Sequence, residues 1–185
     1  PLEQRPVDKA LVGIMGIGAI GRVVAERFSI LGFNVRGWAR SPKKIENVEV
    51  FFGDSQLDEF LDGVNILVSV LPLTGDTTAI MDSSLFSKVA RGAFVINAGR
   101  GQQLVEDDLI SAISQGNISG AALDVFQKEP LPAGHPFWTH PKITIWPHVA
   151  AQTNPDTAAA QVAEAIKDIM SGKKPKNTVD RDIGY

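Results

Sequence analysis

The chain has 185 residues, enough for one well-formed core and short for two full domains. It is 44 % hydrophobic and 21 % charged with a net charge of −3, an ordinary globular balance that gives no reason to expect nucleic acid or a membrane surface as partner. Cysteine is absent, which excludes disulfides and thiolate metal sites; no metal is expected, and a reducing, cytoplasmic location fits.

In chain order, "PLEQRPVDK" (1–9) breaks polar residues with two prolines and reads as a linker. It shows no charged-then-apolar signal pattern, and no later apolar run approaches the roughly 20 residues that span a bilayer. "ALVGIM" (10–15) is a short apolar run followed at once by "GIGAIG" (16–21). Ile20, Val24, Phe28 and Leu31 then recur at helical spacing, and Gly32 is a stop signal. "FNVRGW" (33–38) reads as the next strand. Strand, glycine turn, helix and strand within about 30 residues have the length of a βαβ unit.

The rhythm continues with a helix at 55–63 and a buried strand at 64–72 stopped by proline. Asp82 or Ser83 caps a helix over 82–89, and residues 92–98 form a strand. Residues 105–116 make an amphipathic helix with acids in its first turn. Strands follow at 118–126 and 142–147, separated by a proline-rich loop. Asn154, Pro155 and Asp156 open a last helix, with Ala159, Val162, Ile166 and Ile169 on one face and Gly172 at its end. Nearly all-apolar strands alternating with helices predict a doubly wound α/β fold with a parallel sheet over 10–172. The polar tail, 173–185, is expected along the surface.

Gly16, Gly18 and Gly21 form G-x-G-x-x-G. Alone that spacing is weak, since glycine-rich turns without a ligand share it. Between a strand and a helix it is the arrangement that aims backbone N–H groups and a positive helix end at a dinucleotide pyrophosphate. An acid about 20 residues on ordinarily holds a ribose 2′-hydroxyl, whereas an arginine suits a 2′-phosphate. Here "GWARSPKK" (37–44) offers Ala39, Arg40 and Ser41, with Lys43 and Lys44 behind. The ordinary alternative is an exposed basic loop, but a guanidinium binds phosphate bidentately, so NADP(H) is expected over NAD(H).

"NAGRG" (97–101), "LDVFQKEP" (123–130) and "WPHVAAQTNP" (146–155) each follow an expected strand, where an open parallel sheet lines its ligand crevice. Arg100, Glu129 and His148 can therefore meet in one site. Arg100 would orient a carboxylate and polarise a carbonyl. His148 would deliver a proton, because an imidazole's ordinary pKa near 6.5 suits the task. Glu129, paired with it, would favour the imidazolium and fix the ring. Asp124 can bind the nicotinamide amide. Singly, Glu129 could solvate a turn and Arg100 bind a surface carboxylate. His135 and His140, each followed by proline, read as structural or exposed.

In this order the motifs resemble the NAD(P)-binding domain of the D-isomer-specific 2-hydroxyacid dehydrogenases, from about Lys9 to Tyr185. The likeness rests on "GIMGIGAIG", "LVSVLPLTGDTTAIM", "FVINAGRGQQLVEDDLISAI", "GAALDVFQKEPLP" and "PHVAA". "GWARSPK", "HPFW" and "VDRDIGY" are most similar to the bacterial NADPH-dependent glyoxylate/hydroxypyruvate reductases. The resemblance implies reduction of a small 2-oxoacid, with Arg100 binding it and His148, held by Glu129, as proton donor. It also implies cofactor contacts from Ala19 and Ile20, from Arg40 and Ser41 at the adenosine phosphate, and from Leu71, Pro72 and Thr77. Ala98, Arg100, Asp124 and His148 would surround the nicotinamide. Family members carry a further domain ahead of this one, with the substrate between the two, so the chain is expected to be the cofactor domain of a larger enzyme, inactive by itself and dimerising through this domain. The alternatives are a dehydrogenase for another 2-oxoacid and a dinucleotide-sensing, corepressor-like binding protein.

Overall fold

The structure, a computed structural model, describes residues 6–176, 178 and 179. Two compact units divide the chain, Pro1–His148 and Val149–Tyr185. The first contains β1 (Leu11–Met15), α1 (Ala19–Ile30), β2 (Asn34–Ala39), β3 (Glu49–Phe52), α2 (Leu57–Leu61) and β4 (Ile66–Ser69). It continues with α3 (Ser83–Lys88), β5 (Ala93–Asn97), α4 (Glu106–Ser114), β6 (Ile118–Leu123) and β7 (Ile143–Ile145). All seven strands are parallel, in the order β3-β2-β1-β4-β5-β6-β7. This is the expected doubly wound α/β sheet, of Rossmann type.

The strands are mostly apolar because helices cover both faces of the sheet. In β1, Val12 and Ile14 enter one core cluster with Val35 and Val68, while Met15 and Leu11 join the other with Leu67, Val95 and Leu123. Asp82 caps α3, its Oδ1 accepting from the Leu85 N–H at 2.8 Å. Glu106, Asp107 and Asp108 occupy the first turn of α4, where the helix dipole favours negative charge.

Two local features differ from the residue pattern. β3 is an additional strand; it has only four residues and pairs with β2 alone, too short a run for alternation to show. The buried stripe of α1 runs through Gly21 and Ala25 with Val24 and Phe28 against it, leaving Ile20 and Leu31 exposed. Gly21 causes this shift: a Cβ there would overlap the Gly16 carbonyl oxygen, so the helix rests on the strand at that point. Within the expected linker, Val7–Lys9 form one 3-10 turn, and residues 1–5 lie outside the described residues.

In the second unit Asn154 caps α5 (Pro155–Met170), its Oδ1 accepting from the N–H groups of Asp156 and Thr157. Gly172, at φ 71, follows the helix end. Val162, Ile166 and Ile169 are exposed. The expected surface tail ends at 180–185, outside the described residues. Among the described residues no helix is long and apolar enough to cross a membrane.

Phe60 shows how the sheet face is sealed. It is fully buried on α2, and its ring fits over β1 where Gly13 leaves space: a Cβ on Gly13 would stand 3.0 Å from Phe60 Cζ. Phe60→Ala is expected to cost about 3–5 kcal/mol, measured by urea denaturation. A loss below about 1 kcal/mol would mean that this packing lies outside the cooperative core.

Candidate active site

The strand order reverses between β1 and β4, and open α/β sheets take ligands at that switch point. Gly16, at φ 100, turns the chain out of β1, its N–H donating to the Trp38 carbonyl at 2.9 Å. A Cβ there would come within 2.9 Å of the Val70 carbonyl oxygen, so the turn out of β1 and the exit of β4 meet closely because residue 16 is glycine. Gly18 is the N-cap of α1, with no side chain capping the helix and no acid in its first turn. A Cβ on Gly18 would meet no atom within 4 Å. Ala19 and Ile20, which open the helix, are exposed. An uncapped, uncrowded helix start with a positive dipole end fits a dinucleotide pyrophosphate.

β2 ends at the buried Ala39, and Arg40, Ser41, Lys43 and Lys44 that follow are all exposed. Trp38, which accepts from Gly16, stands two residues before Arg40, so the basic loop borders the glycine turn.

The remaining strand exits stand side by side through backbone hydrogen bonds. The Ala98 N–H donates to Ser69 O at 3.0 Å, Asp124 N–H to Asn97 O at 3.0 Å, and Trp146 N–H to Leu123 O at 2.9 Å. Leu71 and Asp124 are buried; Pro72 and Ala98 are half-buried. Thr77 is buried with its hydroxyl turned inward, donating to Pro72 O at 2.7 Å and accepting from the Thr74 N–H at 2.8 Å. Its side chain shapes the Pro72 loop.

Arg100, Glu129 and His148, separate in sequence, border one cavity of about 410 Å³ together with Gln102, Gln127 and Lys128. Gly101 makes this possible. A Cβ there would overlap the Phe126 carbonyl, so only glycine lets the Arg100 turn lie against the segment leading to Glu129. Both oxygens of Glu129 are engaged: Oε1 accepts from the Phe126 N–H at 3.0 Å, and Oε2 pairs with His148 Nδ1 at 2.8 Å. Burial works to raise the Glu129 pKa but is outweighed by the hydrogen bonds from His148 and the Phe126 amide and by the nearby charges of His148 and Arg100. The net result lies below the ordinary carboxylate value. An ionised Glu129 only accepts, so Nδ1 of His148 carries a hydrogen and Nε2 is the ring atom that can hand over a proton. His148 holds φ 57, in the left-handed region that a histidine adopts at a cost of about 1–2 kcal/mol.

A second cavity, about 680 Å³ and walled by Leu131, Trp138, Ile145 and Trp146, also reaches Glu129 and His148. His135 is half-buried and pairs with Glu106 at 3.2 Å, and His140 accepts from the Lys142 N–H at 3.2 Å; neither lines these cavities. Among the described residues no group of three or more His, Asp or Glu is placed to hold a metal ion.

Residue-pattern reasoning passes over two side chains beneath the site. Asn97 and Gln103 are both fully buried, and both bind the backbone of Arg100. Gln102 and Gln103 are chemically identical neighbours, one exposed and one buried, and only the 3-10 turn Gly101–Gln103 decides which.

Residues 2–150 match the family model for the D-isomer specific 2-hydroxyacid dehydrogenase, NAD binding domain. Glyoxylate/hydroxypyruvate reductase A of Serratia proteamaculans is 47% identical over 185 residues, all of this chain but 59% of that protein, so the chain spans less than two thirds of this relative's length. A D-isomer specific 2-hydroxyacid dehydrogenase of Xanthobacter autotrophicus, solved with NADPH and MES, superposes with a TM-score of 0.96 at 40% identity, covering 100% of this chain and 76% of that one. An NADPH-dependent glyoxylate/hydroxypyruvate reductase of Sinorhizobium meliloti, solved with NADP and sulfate, gives 0.95 at 38% identity, covering 100% of this chain and 60% of that one. With most of its length matched by the family model, the chain belongs to the D-isomer specific 2-hydroxyacid dehydrogenases and carries their NAD-binding domain.

Proposed function

We propose that this chain is the cofactor-binding and proton-donating part of an NADPH-dependent reductase of small 2-oxoacids, glyoxylate and hydroxypyruvate foremost. The observation that carries the reading is the 2.8 Å Glu129–His148 pair bordering the same cavity as Arg100. The reductase name of the Serratia relative and the NADPH and NADP held by the two solved neighbours support it. Residues 10–172 are the working domain, 1–9 its linker and 173–185 its tail. The protein works in the cytoplasm and dimerises through this domain.

Gly18, Ala19 and Ile20 bind the pyrophosphate through backbone N–H groups at the start of α1, with Gly16 making the turn and Gly21 the close packing that bring the cofactor against this loop. Arg40 and Ser41 take the 2′-phosphate where Ala39 has no carboxylate to repel it. Leu71, Pro72, Ala98 and Asp124 border the nicotinamide half, with Thr77 holding the Pro72 loop. Bound NADPH supplies the hydride that reaches C2 of the oxoacid. Arg100 grips the substrate carboxylate and stabilises the negative charge that builds on the C2 oxygen. His148 gives that oxygen the proton from Nε2, completing the 2-hydroxyacid, while Glu129 steadies the imidazolium through Nδ1.

The primary test is NADPH oxidation by the full-length protein with a panel of 2-oxoacids. Glyoxylate and hydroxypyruvate are expected to turn over fastest; no turnover with any member would sink the reading and leave dinucleotide sensing in its place. Arg40→Ala is expected to weaken NADPH binding roughly 10–100-fold and NADH binding less than about threefold, as a lost charge-assisted phosphate contact requires. Equal losses for the two cofactors, read by fluorescence titration, would remove the 2′-phosphate role.

Glu129 also predicts a pH effect. Its depressed folded-state value keeps it ionised through neutral pH, and its grip on His148 is lost only as pH falls through that value. Glu129→Gln removes the charge that favours the imidazolium. kcat/KM for reduction should therefore fall on the acid side as Glu129 takes up a proton, and that acid limb should be absent in Glu129→Gln. An acid limb that persists in Glu129→Gln would show that Glu129 does not hold the proton donor.

A further inference from the structure

Gln103 is 0 % exposed, and both ends of its amide are fully used. Nε2 donates to the Leu71 carbonyl at 3.0 Å and the Pro72 carbonyl at 2.9 Å. Oε1 accepts from the Arg100 backbone N–H at 3.0 Å and from Ser69 Oγ at 3.5 Å. Two carbonyls at one end fix which end is nitrogen. The Arg100 carbonyl accepts from Asn97 Nδ2 at 3.2 Å and from the Gln103 N–H at 3.2 Å. The arginine is thus exposed to the cavity while the peptide groups on both sides of its Cα are held from below. Gly99 leaves the space this needs: a Cβ there would stand 2.6 Å from Gln103 Oε1 and 3.0 Å from the Leu71 carbonyl oxygen.

Leu71 and Pro72 follow β4 at the switch point, and Arg100 follows β5. We infer that Gln103 is a positioning residue, locking the backbone of Arg100 to the Leu71–Pro72 loop so that oxoacid and dinucleotide are held in one fixed geometry. The inference rests on the reductase reading for the role of Arg100. Its physical basis is that hydride transfer depends on reactant placement, where a displacement of about 1 Å costs on the order of 100-fold in rate. A buried glutamine serving stability alone would lower the melting temperature when removed and would affect catalysis equally whatever stood at position 100.

Gln103→Leu keeps the bulk and removes every side-chain hydrogen bond; Gln103→Glu keeps the acceptor for Arg100 but sets an oxygen against two carbonyls. In the full-length protein both are expected to lower kcat/KM for glyoxylate roughly 10–100-fold. In an Arg100→Lys background, where the guanidinium fork is already gone, the same changes should cost less than about threefold. Equal factors in both backgrounds, or unchanged kcat/KM with only a lower melting temperature, would overturn the inference. Amide exchange followed by NMR decides it even if no 2-oxoacid is turned over. The Arg100 N–H should be protected in the parent and lose protection in Gln103→Leu while β5 amides such as Val95 keep theirs. Unchanged protection of Arg100 refutes the clamp, whereas absent turnover by the parent refutes only the reductase reading.

Discussion

Because every strand of the sheet runs in the same direction, all seven end on one edge, and the residues of the proposed site gather there. Parallel pairing fixes levels as well as direction. Met15 pairs with both Trp38 and Ser69, Ser69 with Asn97, and Asn97 with Leu123. The residues that follow these positions, from Gly16 to Asp124, therefore leave the sheet at nearly one height. Side chains far apart in sequence are thereby brought to one edge, and a close approach such as that of Gly101 to Phe126 makes them neighbours.

The edge is chemically divided by the strand order. On the β1–β2 side the loops offer backbone N–H groups, a helix start and four basic or hydroxyl side chains, and no carboxylate stands between Ala39 and Lys44. On the β5–β7 side the loops offer two cations, Arg100 and Lys128, with one carboxylate and one imidazole around a cavity. The first half suits a polyphosphate and the second an oxoanion with a proton to receive. Between them the exits of β1 and β4 press together where Gly16 lacks a Cβ, and Gln103 ties the β4 exit to the arginine.

Much of this is legible in the residues because the signals are local. The glycine turn, the helix stops at Gly32 and Gly172, the Asp82 cap and the apolar strands all express short-range rules, and the structure places them within a few residues of the expected bounds. What the residues do not reveal depends on packing at a distance. β3 is four residues at a sheet edge, defined by its partner rather than by its own pattern. The rotation of α1 is set by the contact of Gly21 with Gly16, which helical periodicity does not encode. Gln103 is distinguished from Gln102 only by which side of a single turn faces the core.

The features that assemble the cavity contribute little to folding, and that bears on why they are present. Glu129 and His148 have side chains 37% and 47% exposed, and an ion pair so exposed contributes about 0–1 kcal/mol. His148 sits in a left-handed conformation that costs a comparable amount. Gly101 carries the backbone entropy of glycine, about 0.5–1 kcal/mol against alanine, only to bring the Arg100 turn against Phe126. Stability alone would favour none of these choices, whereas a site that must keep a guanidinium, a carboxylate and an imidazole around one small cavity requires all of them. The excess of local cost over local stabilisation supports the proposal that the fold serves chemistry at this edge of the sheet.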